Sequence, residues 1–287
     1  METNLIPILL CMVSAITLAV CNVLVKKGGD VLTSRMLVSF FMGVSVLPFV
    51  PFVPALSMDL WPLMGLCLCV HWVYQFCMVR ALHRGELSLV FPVMRGLAPL
   101  ATAIFAIFYL HEALNGWQVI GLLLASAAIV VFAVPTGTTL DARKVDRSAL
   151  FWAVMAAAGI GGYSVVDAQA SRSFPSAGTF AVYLFLLDWI GITTVTLIQR
   201  RGRAFIAIRS QLRDSVIAGV AGSFSYAAAI YAFSMTNAAN VSALRETSVV
   251  FAAGLGALLL KESFGARRTL AASILACGLV LMQVSGG

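Results

Sequence analysis

The sequence predicts an all-α integral membrane protein: ten transmembrane helices in two inverted five-helix repeats around a central cavity. Three observations predict it. Hydrophobic residues make up 61% of the 287-residue chain and charged residues only 11%, with a mean hydropathy of +0.97. A water-soluble surface needs about a quarter of its residues charged, so the solvent implied here is lipid. Next, the apolar residues fall into ten runs of spanning length separated by short polar gaps. Lastly, the basic residues alternate from gap to gap. Sixteen lie in the gaps after odd-numbered runs and only Arg172 lies in a gap after an even-numbered one. That bias gives cytoplasmic odd gaps and two termini outside. The formal charge of +7 is therefore read as a topology signal and not as a nucleic-acid footprint.

The runs, in order, cover 5–25, 36–53, 62–79, 88–110, 117–134, 149–169, 178–198, 214–233, 240–260 and 269–285. A bilayer core of about 30 Å takes roughly 20 helical residues, and helices alone satisfy their own backbone in lipid. The first run has no basic residue before it and no cleavage site behind it, so it reads as a span and not as a secretion signal. The first run carries two of the six cysteines, the third carries three and the tenth carries one, all six lying inside apolar runs, which argues against a disulfide framework. The third places His71 and Gln75 four apart on one face. The Cys67-Cys69-His71 spacing of two spreads its side chains round a helix, so no metal site is expected. The fourth holds Arg95 between Pro92 and Pro99, prolines that can open a helix and bare its carbonyls. The gap 138–147 then separates a first repeat, 1–137, from a second, 148–287. The sixth run carries Tyr163 and Asp167 on a shared face, with Asp167 near the outer end. The seventh carries Asp188 about ten residues from either end, too deep to reach water by extending. The eighth carries "GVAGSFSY", ending at Tyr226, and the ninth carries Arg245 and Glu246.

Shifting the chain by 150 residues pairs 90–112 with 240–262. It matches Arg95 with Arg245 and Glu112 with Glu262, besides two apolar pairs. Five spans per half turn the second half upside down. Such inverted repeats are characteristic of secondary transporters, with the substrate site at their interface. The segments "YLHEALNGWQVIGLLLASAAIVVF" (109–132) and "LLKESFGARRTLAASILACGLVLM" (259–282) close the fourth helix of each half with a Glu. Small residues follow at Gly121 and Ala128, and at Ala271 and Gly278. With "RALHRGELSLVFPV" (80–93), these resemble the EamA branch of the drug/metabolite transporter superfamily over essentially the whole chain. Ala128 and Ala271 stand where the family has glycines, and Arg95 and Arg245 are outside its general pattern. The resemblance implies a multi-pass protein of the bacterial inner membrane that moves a small metabolite, most often outward, on an ion gradient or by exchange.

A charge inside a span costs about 2.5–3.5 kcal/mol on insertion scales and is a functional hypothesis by default. Arg95 and Arg245 fit a bidentate clamp for an anionic or zwitterionic solute such as an amino acid; snorkelling to the headgroups is the competing reading for each. His71, Gln75, Tyr163 and Tyr226 complete the expected substrate site, in a cavity lined by helices three, four, six, eight and nine. Asp188 and Asp167 are the candidates for ion coupling. A structural ion pair is the other reading of Asp188, and an interfacial position the other reading of Asp167. Glu246 points about 100° away from Arg245, toward a neighbouring helix or the outer interface. Glu112 and Glu262 are assigned to helix capping or to pairing with loop cations. No nucleotide-binding loop, zinc-protease pair or nucleophile elbow occurs, so neither enzyme activity nor a cofactor is expected. The partners expected are the small solute and membrane lipids, with the chain as monomer or homodimer. Two other functions compete. A broad-specificity drug or cation exporter would put Asp188 and Asp167 ahead of the arginines. A flippase component or scaffold would carry no solute.

Overall fold

The computed structural model describes residues 5–27, 30–85, 87–133, 146–200, 203–251 and 266–284. Every regular element among them is helical. The long helices are α1 (Leu5–Lys27), α2 (Val31–Val46), α3 (Trp61–Arg84), α4 (Leu87–Tyr109), α5 (Gly116–Ala133), α6 (Arg147–Ser173), α7 (Ala177–Arg200) and α8 (Arg203–Met235). The short α9 (Ala238–Arg245) and α10 (Ala266–Val284) complete the order. Six of the described helical stretches are long and apolar enough to cross a membrane, and three further apolar stretches, Val93–Tyr109, Gly116–Val131 and Leu270–Met282, are shorter. Side chains such as Leu9, Phe108, Trp117, Leu123 and Phe224 are exposed, which a lipid solvent permits.

Local chemistry explains most boundaries. Asp146 caps α6 by accepting the Ser148 N–H at 2.8 Å. Asn115 and Gln118 form a reciprocal box at the start of α5, with bonds of 2.9 and 3.0 Å. α2 ends earlier than the run 36–53 suggests, because Pro48 and Pro51 remove donors and leave a 3₁₀ stretch over Leu47–Phe52. α8 begins 11 residues before its apolar run, since arginines extend a helix as well as they end a span.

Two departures concern the arginines. α4 is continuous through Pro92 and Pro99, so the opening expected there does not occur. It occurs instead in the second half. α9 stops at Arg245, Glu246 and Thr247 form a tight turn, and helical backbone resumes over 248–251. The N–H groups of Glu246 and Thr247 reach back three residues, to Ala243 and Leu244. The Thr247 hydroxyl also donates to the Leu244 carbonyl at 2.7 Å. This back-bonding competes with the α-helical ladder. The remainder of the run to 260, Glu262, and the gap 138–145 lie outside the described residues.

The packing interchanges the two halves. α1 lies along α8 as α6 lies along α3, α4 along α6 as α9 along α1, and α2 along α8 as α7 along α3. The self-paired contacts are α2 with α7, α4 with α9 and α5 with α10. Equivalent helices run in opposite directions. Going back from Glu112, just beyond α4, through Thr102 and Arg95 within it meets Ala238 and Ser242 of α9 and then Glu246 just past its end. Likewise Asp30, just before α2, bonds Arg200 at the end of α7.

Small residues make these approaches possible. A Cβ on Gly121 would lie 2.4 Å from the Gly278 carbonyl, and one on Gly161 would lie 2.6 Å from the Ala101 backbone. Gly159 admits the backbone of Tyr74 in the same way, which presses α3 and α6 together at the middle of the bundle.

Candidate functional site

The buried positions of α3 include Met64, Cys67, Leu68, His71, Gln75 and Met78, at helical spacing. His71 and Gln75 therefore point where α6, α7 and α8 meet. α6 supplies Tyr163 and, one turn on, Asp167; α7 supplies Asp188; α8 supplies Tyr226. The His71 Nε2 lies 2.8 Å from an oxygen of Asp167, which also accepts the Tyr226 hydroxyl. On its other side, Nδ1 lies 3.8 Å from Asp188, within ion-pair reach but beyond a hydrogen bond. The Gln75 amide donates to both Asp188 oxygens, at 3.1 and 3.0 Å. Trp72 holds the Asp188 backbone carbonyl at 3.2 Å, which pins α7 against α3. The His71 ring stacks on Tyr163 with centroids 4.4 Å apart, and meets Tyr226 edge-on at 5.8 Å.

Asp167 is fully buried within the bundle, and its second carboxylate oxygen has no hydrogen-bond partner. Asp188 keeps 19% of its side chain exposed. Among the three acids of this region it is the most exposed.

The two arginines are held differently. Arg95 donates from Nη1 to Glu246 at 3.1 Å, in an ion pair that joins α4 to the turn after α9. The Glu246 side chain is 3% exposed, and its other oxygen has no partner. Glu246 thus takes the first of its two sequence-based options, the neighbouring helix. Arg245 donates from Nε to the Ser14 hydroxyl at 3.0 Å and lies over the Tyr226 ring, 5.1 Å from its centroid. Among the described residues no carboxylate lies within ion-pair distance of Arg245. Both guanidiniums turn into the bundle and bond to other helices.

The difference follows from one position. With the 150-residue shift, Glu246 corresponds to Gly96, which packs against Val130 of α5 and carries no charge. Arg95 therefore receives a carboxylate from the opposite repeat, and Arg245 has no counterpart to receive. Thr102 and Ser242 bridge α4 and α9 alongside, at 3.1 Å.

Seven of the eight sequence-derived residues, His71, Gln75, Tyr163, Asp167, Asp188, Tyr226 and Arg245, are linked by direct contacts; Arg95 is held apart from them by its pair with Glu246, the chain neighbour of Arg245. Sequence reasoning placed Thr102 on the Arg95 face and read Trp72 and Tyr74 as packing residues, but did not include Ser14 or Ser242. Their contacts join helices far apart in the chain, and no spacing within a single run signals them. Glu112 caps helix α9, not the helix that follows it, accepting the Ala238 N–H at 2.8 Å. It also pairs with Arg172 at 2.8 Å, and Arg172 further donates to the Phe233 and Thr236 carbonyls. No group of three or more metal-ligating side chains occurs among the described residues.

Comparison with known proteins follows the two halves. The family model described as "EamA-like transporter family" matches residues 5–134 and again 147–284. A search of curated proteins finds no match. A solved structure titled only "Crystal structure of protein" superposes with a TM-score of 0.76 at 17% identity, covering 97% of this chain and 96% of that one. At that identity the likeness speaks for the fold.

Proposed function

The chain belongs to the EamA-like transporter family, and from that premise we propose that it carries small zwitterionic metabolites of the amino-acid type. The carrier is a ten-span protein of the bacterial inner membrane with both termini outside. It exports by alternating access, the two repeats rocking about the centre. One observation carries the choice of substrate: the same buried centre presents groups of both signs that are not fully engaged. Arg245 faces it without a carboxylate, and unpartnered acceptors remain on Asp167, Glu246 and Gln75. A guanidinium recognises a carboxylate through paired N–H donors, and buried acceptors call for donors. An ammonium at Asp188 and a carboxylate at Arg245 satisfy both. The stacked His71 and Tyr163 rings, with Tyr226 edge-on to both, give the rest of the solute an apolar wall.

Arg95 is already neutralised by Glu246 and is assigned to closing the α4–α9 seam. Asp167 orients His71 and Tyr226. The cation-exporter reading also draws on Asp188 and the aromatic wall, so the test separates the two. Leucine and phenylalanine are compared with their decarboxylated amines and their N-acetyl derivatives, by thermal shift in detergent and by flux in proteoliposomes. At about pH 5 the free amino acids give the largest stabilisation. Arg245→Gln removes it for amino acids and leaves the amines unchanged; Asp188→Asn removes both. Amines that bind as well as amino acids, with no effect of Arg245→Gln, would establish the cation exporter. Absence of any solute flux would establish the scaffold.

A further inference from the structure

The ionisable groups of the centre do not cancel. Among the described residues it gathers three carboxylates, on Asp167, Asp188 and Glu246, and two guanidiniums, on Arg95 and Arg245. The sixth group is His71. With a neutral imidazole the sum is one negative charge; with an imidazolium it is zero. A net charge at the middle of a membrane protein is expensive, so the bound solute must complete the balance. We infer that His71 sets the net charge of the cargo: a zwitterion when its imidazole is protonated, a monocation when it is neutral. This rests on the zwitterion reading above and adds a rule for selectivity within it.

The geometry gives the rule a mechanism. A neutral imidazole has one N–H and one acceptor nitrogen, so it can donate to one carboxylate only. The 2.8 Å contact from Nε2 assigns that donor to Asp167. Nδ1 then offers nothing to Asp188, whose carboxylate accepts from the Gln75 amide and keeps lone pairs for an incoming ammonium. Protonation makes Nδ1 a second donor, 3.8 Å from Asp188. Asp188 is then partly countered from within, and an ammonium is accepted only if its own carboxylate is placed on Arg245. The groups facing the imidazole are Asp167 and Tyr163 from α6, Asp188 from α7 and Tyr226 from α8. Arg245 from α9 lies behind the Tyr226 ring, α4 presents only Arg95, already paired, and α3 itself adds Cys67 and Gln75. Of these, His71 is the group whose ordinary titration falls between about pH 5 and pH 8.

The test measures affinities of phenylalanine and phenethylamine across that window. Phenethylamine stays a cation and phenylalanine a zwitterion throughout. The ratio of amine to amino-acid affinity rises by about tenfold from the acid to the alkaline end, the low end of typical coupling between sites. His71→Gln, which keeps a donor for Asp167 but cannot be protonated, holds the ratio at its alkaline value at every pH. A ratio that does not move with pH, or that moves equally in His71→Gln, overturns the inference while leaving the zwitterion reading standing. If neither probe binds at any pH, that reading falls and this one with it. Should His71→Gln not fold, the wild-type chain has only three histidines, so ¹⁵N-histidine NMR makes the same decision. Phenethylamine must drive one histidine toward its neutral form and phenylalanine must not; no change with phenethylamine overturns the proposal.

Discussion

Asp30 sits between α1 and α2 and shows how one carboxylate ties the two repeats together. It accepts from Thr33 at 2.7 Å and pairs with Arg200 of the other half at 2.6 Å. Partial burial pushes its carboxyl up, but the bonds from Thr33 and Arg200 outweigh burial and hold it below the usual range. A carboxyl lowered on folding adds stability above its unfolded value and loses it as pH falls through the folded one. Asp30→Asn therefore lowers the melting temperature at neutral pH, and the gap to wild type closes on acidification below about pH 4. Thermal unfolding in detergent at a series of pH values measures it; a gap that persists in acid would contradict the assignment. At the centre, the shared face of His71 and Gln75 was legible from their spacing, as was the match of Arg95 to Arg245. The engagement of Arg95 by Glu246 was not. Which helix faces which is a property of tertiary packing, and no periodicity within a run encodes it.

Helices α5 and α10 owe their contact to glycine. A methyl on Gly121 would meet the Gly278 carbonyl at 2.4 Å and Met282 at 2.8 Å, and the carbonyl is backbone that cannot rotate away. Gly121→Ala must push the helices apart, at a cost of about 1–3 kcal/mol. Gly116→Ala, with nothing within 4 Å, is the control. A lower melting temperature for the first and an unchanged one for the second is the expected result. The family-like small residues at 121 and 278 were visible in the sequence, though not that they meet each other. Likewise the start of α8 was hidden, because its basic first turns read as a loop between spans. The break after Arg245 was hidden as well, since a Glu-Thr pair inside an apolar run resembles an ordinary helical turn until its hydrogen bonds are seen. By contrast Glu112, assigned from sequence to capping, does cap a helix. Glu112→Ala removes both the α9 cap and the Arg172 partner. Loss of the cap alone costs about 1 kcal/mol, seen as a lower melting temperature that Glu112→Asp partly restores.

For the molecule as a whole, the alternation of basic residues and the span length of the runs made the class and the two-repeat plan readable without coordinates. The plan now has a physical counterpart in helices that exchange partners between the halves. An even number of spans puts the first and last residues on one side of the membrane. Cysteines placed at Thr3 and at Ser285 in a background lacking the six native cysteines should both react with an impermeant thiol reagent added to intact cells. Labelling of only one of them would require an odd count of spans and end the ten-span assignment.

The pairing of Glu246 with Gly96 across the repeats has a consequence for flux. A carrier made of two identical halves would dwell equally long open to either side, and would run as readily inward as outward. Under the alternating-access mechanism proposed above, one carboxylate without a twin would hold the seam in one of the two orientations more tightly than in the other, and the empty carrier would idle facing a preferred side. Glu246→Gln evens out that dwell, and counterflow started from the two sides of the vesicle should then proceed at equal initial rates.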